Sequence, residues 1–304
     1  MIGFILAAGF GRRLRPLTDH IPKAAVPLCG RVLLLRSYDL LKMSKVSAIG
    51  LNTHYLPGVI QEICKDNMED PEVFNEDPDI LGTGGALYNA VEFLSQDDVF
   101  CVVNADIVTN LDLLKYKEVF LESDALCGLV VSAPESRGTV VYEPGTMMYA
   151  GIRKSSTPAE GILGADFTGI AFYRREFLDW FTKEDFSVVD VWDRALSEGI
   201  HISVMLTDAY WSDTGTPARY AATCFDVIRG IDGIEIPKGY KVDKETNSAY
   251  PEGSGRNLNL KNVFSEIPLQ DNTHAEYSVI LSGKTGGDPA FGIIRSEWGD
   301  ISTS

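Results

Sequence analysis

The 304-residue chain is 45% hydrophobic and 23% charged, enough to bury one large core with a small appendage. Its formal charge of −16 opposes binding to nucleic acid and to anionic membrane surfaces, so neither is an expected partner. Five cysteines, Cys29, Cys64, Cys101, Cys127 and Cys224, form no CxxC pair and sit mostly in apolar contexts, which fits reduced thiols in the cytoplasm.

In chain order, the apolar run Ile2–Leu6 reads as a core strand. It is too short for a signal peptide and its arginines follow rather than precede it. A helix is expected over 32–43, a strand over 47–52 and a helix over 56–64, then a helix over 85–94, a fully apolar strand over 100–103 and a helix over 111–120. No apolar stretch approaches the ~20 residues of a membrane helix. From 125 to 173 four strands (125–131, 139–142, 147–152 and 167–173) follow without intervening helices, as an antiparallel insertion over one edge of the sheet would. Helical patterns return at 176–181, 189–198 and 216–228, with the strand Ile202–Leu206 between the last two.

This alternation predicts an α/β fold, a doubly wound Rossmann-like mixed, mainly parallel sheet with an antiparallel insertion, binding its ligand beyond the carboxyl ends of its strands. The main domain is expected over 1–231 and a small β-rich extension over 232–304. In the extension, Val263, Leu269, Ala275 and Leu281 recur at six-residue steps, as do Ile267, Thr273 and Val279. Hexapeptide spacing suggests about one coil of a β-helix, short of the ~3 repeats a solenoid needs. The segment therefore reads either as a small β-rich unit packed on the main domain or on a second subunit of a homo-oligomer, or as an irregular glycine-rich tail.

Chemistry concentrates where the first strand ends. Leu6-Ala7-Ala8-Gly9-Phe10-Gly11 runs into Arg12-Arg13-Leu14-Arg15, and residues 1–31 carry five basic residues against the single acid Asp19. Glycines let backbone N–H groups approach a polyanion, and Arg13, Arg15 and Lys23 can neutralise phosphate charge, so a nucleoside triphosphate is the expected ligand. The loop is neither a dinucleotide fingerprint nor a Walker A loop, because position 14 is Leu. The four histidines, His20, His54, His201 and His274, are scattered without metal-ligand spacing.

The segment from Leu6 to Thr18, closed by Pro22-Lys23 and Pro27, resembles the signature of the sugar-1-phosphate nucleotidyltransferases, with Arg12 replacing the usual Thr. The resemblance continues through Ile80-Leu81-Gly82-Thr83-Gly84-Gly85-Ala86-Leu87, then Val103-Asn104-Ala105-Asp106, and Trp211-Ser212-Asp213-Thr214-Gly215-Thr216. It implies catalytic roles for Arg13 and Lys23. It also implies nucleotide contacts from Leu6, Ala7, Ala8, Gly9, Gly11, Arg12, Arg15, Gly82, Thr83, Gly84, Gly85 and Asn104, with Gly84 and Gly85 facing the base. Gly138, Thr168 and Gly169 are expected at the sugar, and Asp106 and Asp213 as ligands of Mg2+, a hard cation that takes one or two carboxylates plus substrate phosphates.

The implied reaction moves a nucleoside monophosphate from an NTP to a sugar-1-phosphate and releases pyrophosphate. The nearest look is to N-acetylmuramate-1-phosphate uridylyltransferases, implying uridylyl transfer to an amino-sugar phosphate. The alternative is guanylyl transfer to mannose- or heptose-1-phosphate. A reading of another class is a catalytically silent subunit that binds a nucleotide sugar and regulates a partner. The retained Arg13, Lys23, Asp106 and Asp213 weigh against that reading.

Overall fold

A computed structural model describes residues 1–132, 138–153, 161–282 and 290–303. Ten strands form the main sheet, in the order Leu163–Ala165, Val140–Glu143, Met148–Ile152, Ile202–Leu206, Cys127–Val131, Phe167–Arg174, Val99–Asn104, Ile2–Leu6, Ile49–Thr53 and Glu72–Asn75. Seven of the ten run in one direction; only Phe167–Arg174, Met148–Ile152 and Leu163–Ala165 oppose them. This is the expected mixed, mainly parallel α/β sheet. Its central strands are buried on both faces, which is why Val99–Asn104 and Cys127–Val131 read as unbroken apolar runs.

One part of the expectation changes. The strands of 125–173 do not lie over an edge as a separate layer. Phe167–Arg174 sits at the centre, paired antiparallel to Val99–Asn104 on one side and to Cys127–Val131 on the other, and only 140–152 and 163–165 extend the edge. Phe172 and Tyr173, both buried, are the reason: their rings complete the cores on the two faces of the sheet, so this strand has to be central. The short strand Glu72–Asn75 was absent from the expected elements; its burial is partial and only four residues mark it.

The second sheet is built differently. Ser248–Pro251, Asn259–Ser265, His274–Ile280 and Ile293–Ser296 stack in parallel, with Ser248 opposite Val263, Val263 opposite Ser278 and Val279 opposite Ile294. Each step is fifteen residues. The six-residue series does pick out buried side chains, yet it is not the stacking period, and the segment makes three such steps rather than about one coil.

Side chains repeat the same step. Val263 N donates to Ser248 Oγ at 3.2 Å, Ile293 N to Ser278 Oγ at 3.3 Å, and Asn247 Nδ2 to Asn262 Oδ1 at 2.8 Å. The chain turns at each rung through a left-handed residue, at Asn247 (φ 50°), Asn262 (φ 51°), Tyr277 (φ 49°) and Gly292 (φ 59°), where Asn and Gly cost least. Antiparallel strands Tyr240–Asp243 and Gly299–Ser302 cover the two ends of the stack, which would otherwise be open sheet edges.

One face of this stack encloses its own interior, Leu260, Val263, Ala275, Ile280 and Ala290. The other presents Ala249, Phe264, Val279 and Ile294 to the helix Pro217–Arg229 and to Leu14 and Leu17, which come from the glycine-rich loop. Among the described residues no helix is long and apolar enough to cross a membrane.

Candidate active site

The first loop leaves strand Ile2–Leu6 and is anchored at two buried points, Leu14 and Leu17. Gly11 adopts φ +64°, and a methyl group in place of its hydrogen would lie 2.8 Å from Lys23 Cβ, so glycine is what lets Lys23 pack across the loop. Thr18 Oγ1 closes the turn by donating to Gly11 O at 2.8 Å. Arg12 stacks its guanidinium over the Phe10 ring, 5.1 Å from the centroid.

The two aspartates are brought onto neighbouring backbone positions because two short strands pair. Trp211–Asp213 lies antiparallel to Ile107–Thr109 with Asp213 opposite Ile107, and both Thr214 N and Thr214 Oγ1 donate to Asp106 O at 2.9 Å. Ala105 N donates to Leu6 O at 3.0 Å, which ties the same segment to the start of the first loop. Lys23 Nζ forms an ion pair with Asp106, and Arg219, on the first turn of helix Pro217–Arg229, pairs with Asp213. Gly215 completes the convergence. A methyl group there would lie 2.6 Å from Arg13 Nη2 and 2.7 Å from Asp213 Oδ1, so the arginine and the carboxylate close on the same backbone position.

The resulting cleft has a volume of about 380 Å³. Of the expected residues it is lined by Leu6, Ala7, Ala8, Gly9, Gly11, Arg12, Arg13, Lys23, Gly82, Thr83, Asn104 and Asp106, together with Gly215. A second cavity of about 260 Å³ adjoins it through Leu6, Thr83 and Asn104 and is lined by Gly169 among others. Trp211 Nε1 donates to Thr168 O at 2.6 Å, at the register irregularity in strand Phe167–Arg174 where Gly169 sits at φ +83°.

Several expectations move. Arg15 lies outside the cleft lining and pairs with Asp19 at 2.9 Å in an exposed salt bridge. Gly84 and Gly85 do not line the cleft: a methyl group would meet Asp185 O at 2.9 Å from Gly84 and 3.2 Å from Gly85. Glycine is needed there for the close approach of segment 182–187 to helix Gly82–Asn89, not for a flat base. Gly82 combines both roles, lining the cleft with φ +73° while its hydrogens face Phe186 O. Gly138 packs against the Ala165 backbone, and its neighbour Thr139 lines the second cavity instead. The Thr168 hydroxyl is spent on Val130 O at 2.8 Å.

Sequence reasoning missed a buried polar pair under the cleft. Asn52, at the end of strand Ile49–Thr53, accepts from Ala7 N at 2.7 Å and donates to Glu76 Oε1 at 2.7 Å; Glu76 Oε2 accepts from Leu81 N at 2.8 Å. One amide and one carboxylate therefore lock the first loop to the second. The signal available was Asn52 at a strand's carboxyl end, where such folds place ligand-facing groups. Asp185 is a further support: two hydrogen bonds from Arg194, at 2.8 and 2.7 Å, hold its carboxyl below the usual range, and Thr182 N adds a third.

Residues 2–148 match the family model described as nucleotidyl transferase. A mannose-1-phosphate guanyltransferase of Yarrowia lipolytica is 28% identical over 232 residues, covering 74% of this chain and 63% of the relative. A mannose-1-phosphate guanylyltransferase of Mycobacterium tuberculosis is 27% identical over 247 residues, 78% of this chain and 67% of the relative. Among solved structures, HddC from Yersinia pseudotuberculosis complexed with GMP-PN superposes with a TM-score of 0.62 at 25% identity, covering 74% of this chain and 99% of that one. The chain spans less than two thirds of the length of the first of these relatives.

Proposed function

We propose that the chain, whose residues 2–148 match the nucleotidyl transferase family model, transfers a nucleoside monophosphate from an NTP to a sugar-1-phosphate, yielding a nucleoside-diphosphate sugar and pyrophosphate. The observation that carries this reading is the convergence of Arg13, Lys23 and Asp106 on one cleft, with Asp213 outside its lining but beside Gly215, which does line it. A phosphate oxygen of the sugar attacks the α-phosphorus, a new P–O bond forms, and the α–β anhydride bond breaks with its electron pair leaving on pyrophosphate. No general base is needed, since the attacking phosphate is already ionised at neutral pH.

The obstacle is repulsion between two polyanions. Arg13 answers it on the departing phosphates, and Lys23, held at the cleft by Asp106, answers it at the α-phosphoryl group. Backbone of Gly9 and Gly11 approaches the triphosphate, and Asn52 with Glu76 keeps the two loops in register.

Asp106 and Asp213 form a donor set of two oxygen ligands, and among the described residues no group of three His, Cys, Asp or Glu is arranged around a metal position. Two carboxylates completed by substrate phosphates suit Mg2+. Asp106 and Asp213 would hold the ion, which would supply positive charge to offset the negative charge of the substrate phosphates. The change of sheet between Trp211–Asp213 and Tyr240–Asp243 supports dividing the chain near residue 231 into a catalytic unit and a β-rich extension.

For the base, guanine is favoured over uracil, because the relatives at 27% and 28% identity are named as guanyltransferases and the superposed HddC carries a guanine nucleotide analogue. The test is a matrix of the four common nucleoside triphosphates against a panel of sugar-1-phosphates, read by pyrophosphate release with Mg2+ present. Turnover with GTP above the others is the expected result. No pyrophosphate from any pair would overturn the reading.

A further inference from the structure

Resting on the metal role proposed for Asp106 and Asp213, we propose that Arg219 is the resident counter-ion of that site. It holds Asp213 in the substrate-free protein, yields the carboxylate to a divalent cation, and its freed guanidinium then binds a substrate phosphate. The helix gives no reason for an arginine here. Thr216 caps helix Pro217–Arg229 by accepting from Arg219 N at 3.3 Å, which puts Arg219 three positions after the cap. That position favours Glu or Gln, whose side chain returns to the cap, and the helix dipole disfavours a cation in the first turn.

Asp213 supplies the reason. Its Oδ1 accepts from Gly215 N at 2.8 Å, and its Oδ2 is taken by Arg219 Nη1. Arg219 shares a groove with Asp166 and Asp208, yet Asp213 is its ion-pair partner among the described residues. Lys23 does the same at the other carboxylate, pairing with Asp106 Oδ2. Each acid of the donor set is thus matched by one base, and the four charges cancel.

The Arg219 pair is one that can exchange. The side chains of Asp213 and Arg219 are 31% and 50% exposed, so water weakens their attraction and a small, doubly charged ion outcompetes it. Once Asp213 is given up, the planar fork of Arg219 is free for phosphate, which it matches in shape. Gly215 lies between Asp213 Oδ1 and Arg13 Nη2 and lines the cleft, so the freed guanidinium starts at the edge of the phosphate site. Freed positive charge is favourable only where a polyanion receives it. Metal and phosphate therefore bind better together than apart, and the dependence is reciprocal.

The experiment titrates the full chain, without nucleotide, with Mn2+, a divalent cation that suits the same oxygen ligands, and follows the loss of its free EPR signal. R219A is expected to bind Mn2+ about 2- to 5-fold more tightly than the parent, the range an exposed ion pair can hold back, with R219K between them. At saturating Mg2+, R219A is expected to raise KM for the NTP or for the sugar-1-phosphate about 10-fold, the loss of a hydrogen bond to a charged group. The substrate affected identifies the phosphate that receives Arg219. A merely structural loss would weaken both ligands, so opposite shifts mark the exchange. Equal or weaker Mn2+ binding by R219A overturns the counter-ion role, and an unchanged KM for both substrates overturns the phosphate role. Mn2+ binding that D213N leaves unaffected removes the metal from Asp213, and this inference with it. No pyrophosphate from any NTP and acceptor overturns nucleotidyl transfer, while the Mn2+ titration still decides the counter-ion role.

Discussion

The two sheets use opposite means to the same rigidity. In the main sheet the strands are regular and apolar, and everything chemical sits in irregular loops at their carboxyl ends, where Gly11, Gly82 and Gly215 each allow one close approach that a Cβ would block. In the C-terminal stack the loops themselves repeat. Ser and Asn side chains bond to the rung fifteen residues away, and left-handed turns at Asn, Tyr or Gly recur at the same step. The first arrangement yields converging charge; the second yields a stiff slab. They join at one apolar cluster, where Phe264, Val279 and Ile294 back the loop anchors Leu14 and Leu17, and Trp298 stacks on His20 at 4.7 Å. The first loop thus rests partly on a sheet that contributes no residue to the cleft.

Substitutions should separate the two roles. Asp106→Asn or Asp213→Asn is expected to abolish Mg2+-dependent pyrophosphate release while leaving the melting temperature close to that of the parent; full activity in either variant would remove the metal assignment. Phe264→Ala is the mirror image, lowering stability by about 3–5 kcal/mol in a urea titration, the usual loss for a buried aromatic. A loss below 1 kcal/mol would mean the stack is an accessory with no part in the core. Arg13→Ala should cost about 10²- to 10³-fold in kcat, as removal of one donor to developing charge does. If only KM moves, Arg13 binds and does not act on the transition state.

Smaller effects probe the supports. Asp185→Asn is expected to cost about 1.5–3 kcal/mol by weakening hydrogen bonds to the charged Arg194. The sign follows from its depressed folded pKa: the Asp185 contribution is complete above the ordinary aspartate range, near ~4, and is lost as pH falls through the lower folded value. Acid melts from pH 5 to pH 2 should therefore show a gap between parent and variant that closes at the acid end. Trp298→Ala should cost only about 0.5–1.5 kcal/mol, the range of an aromatic pair, yet raise KM for the triphosphate if the stack positions the loop. An unchanged KM would separate the two sheets functionally.

Much of this was legible beforehand because the residues concerned are fixed by local demands. Strands Ile2–Leu6 and Ile202–Leu206 coincide with their expected bounds, and the first loop, Asp106 and Asp213 were named from short motifs. Two kinds of feature escaped. The fifteen-residue stack was read at a six-residue step, because Val263, Leu269, Ala275 and Leu281 are all buried although none stacks on the next. Gly84 and Gly85 were assigned to the base because a glycine pair signals close approach without saying to what; the approach is to Asp185.

The sequence by itself determined the apolar strands, the cationic glycine loop and the two acidic residues that suit a hard cation. These depend on neighbours a few positions away, through side-chain alternation, backbone freedom and charge. Only the tertiary structure decided that Asp213 lies beside Asp106, that Asn52 and Glu76 clasp two loops, and that Phe167–Arg174 is central rather than peripheral. Those outcomes turn on strand register and on which buried faces find each other across separations of 24 to 108 residues, and no local pattern encodes a partner that far away.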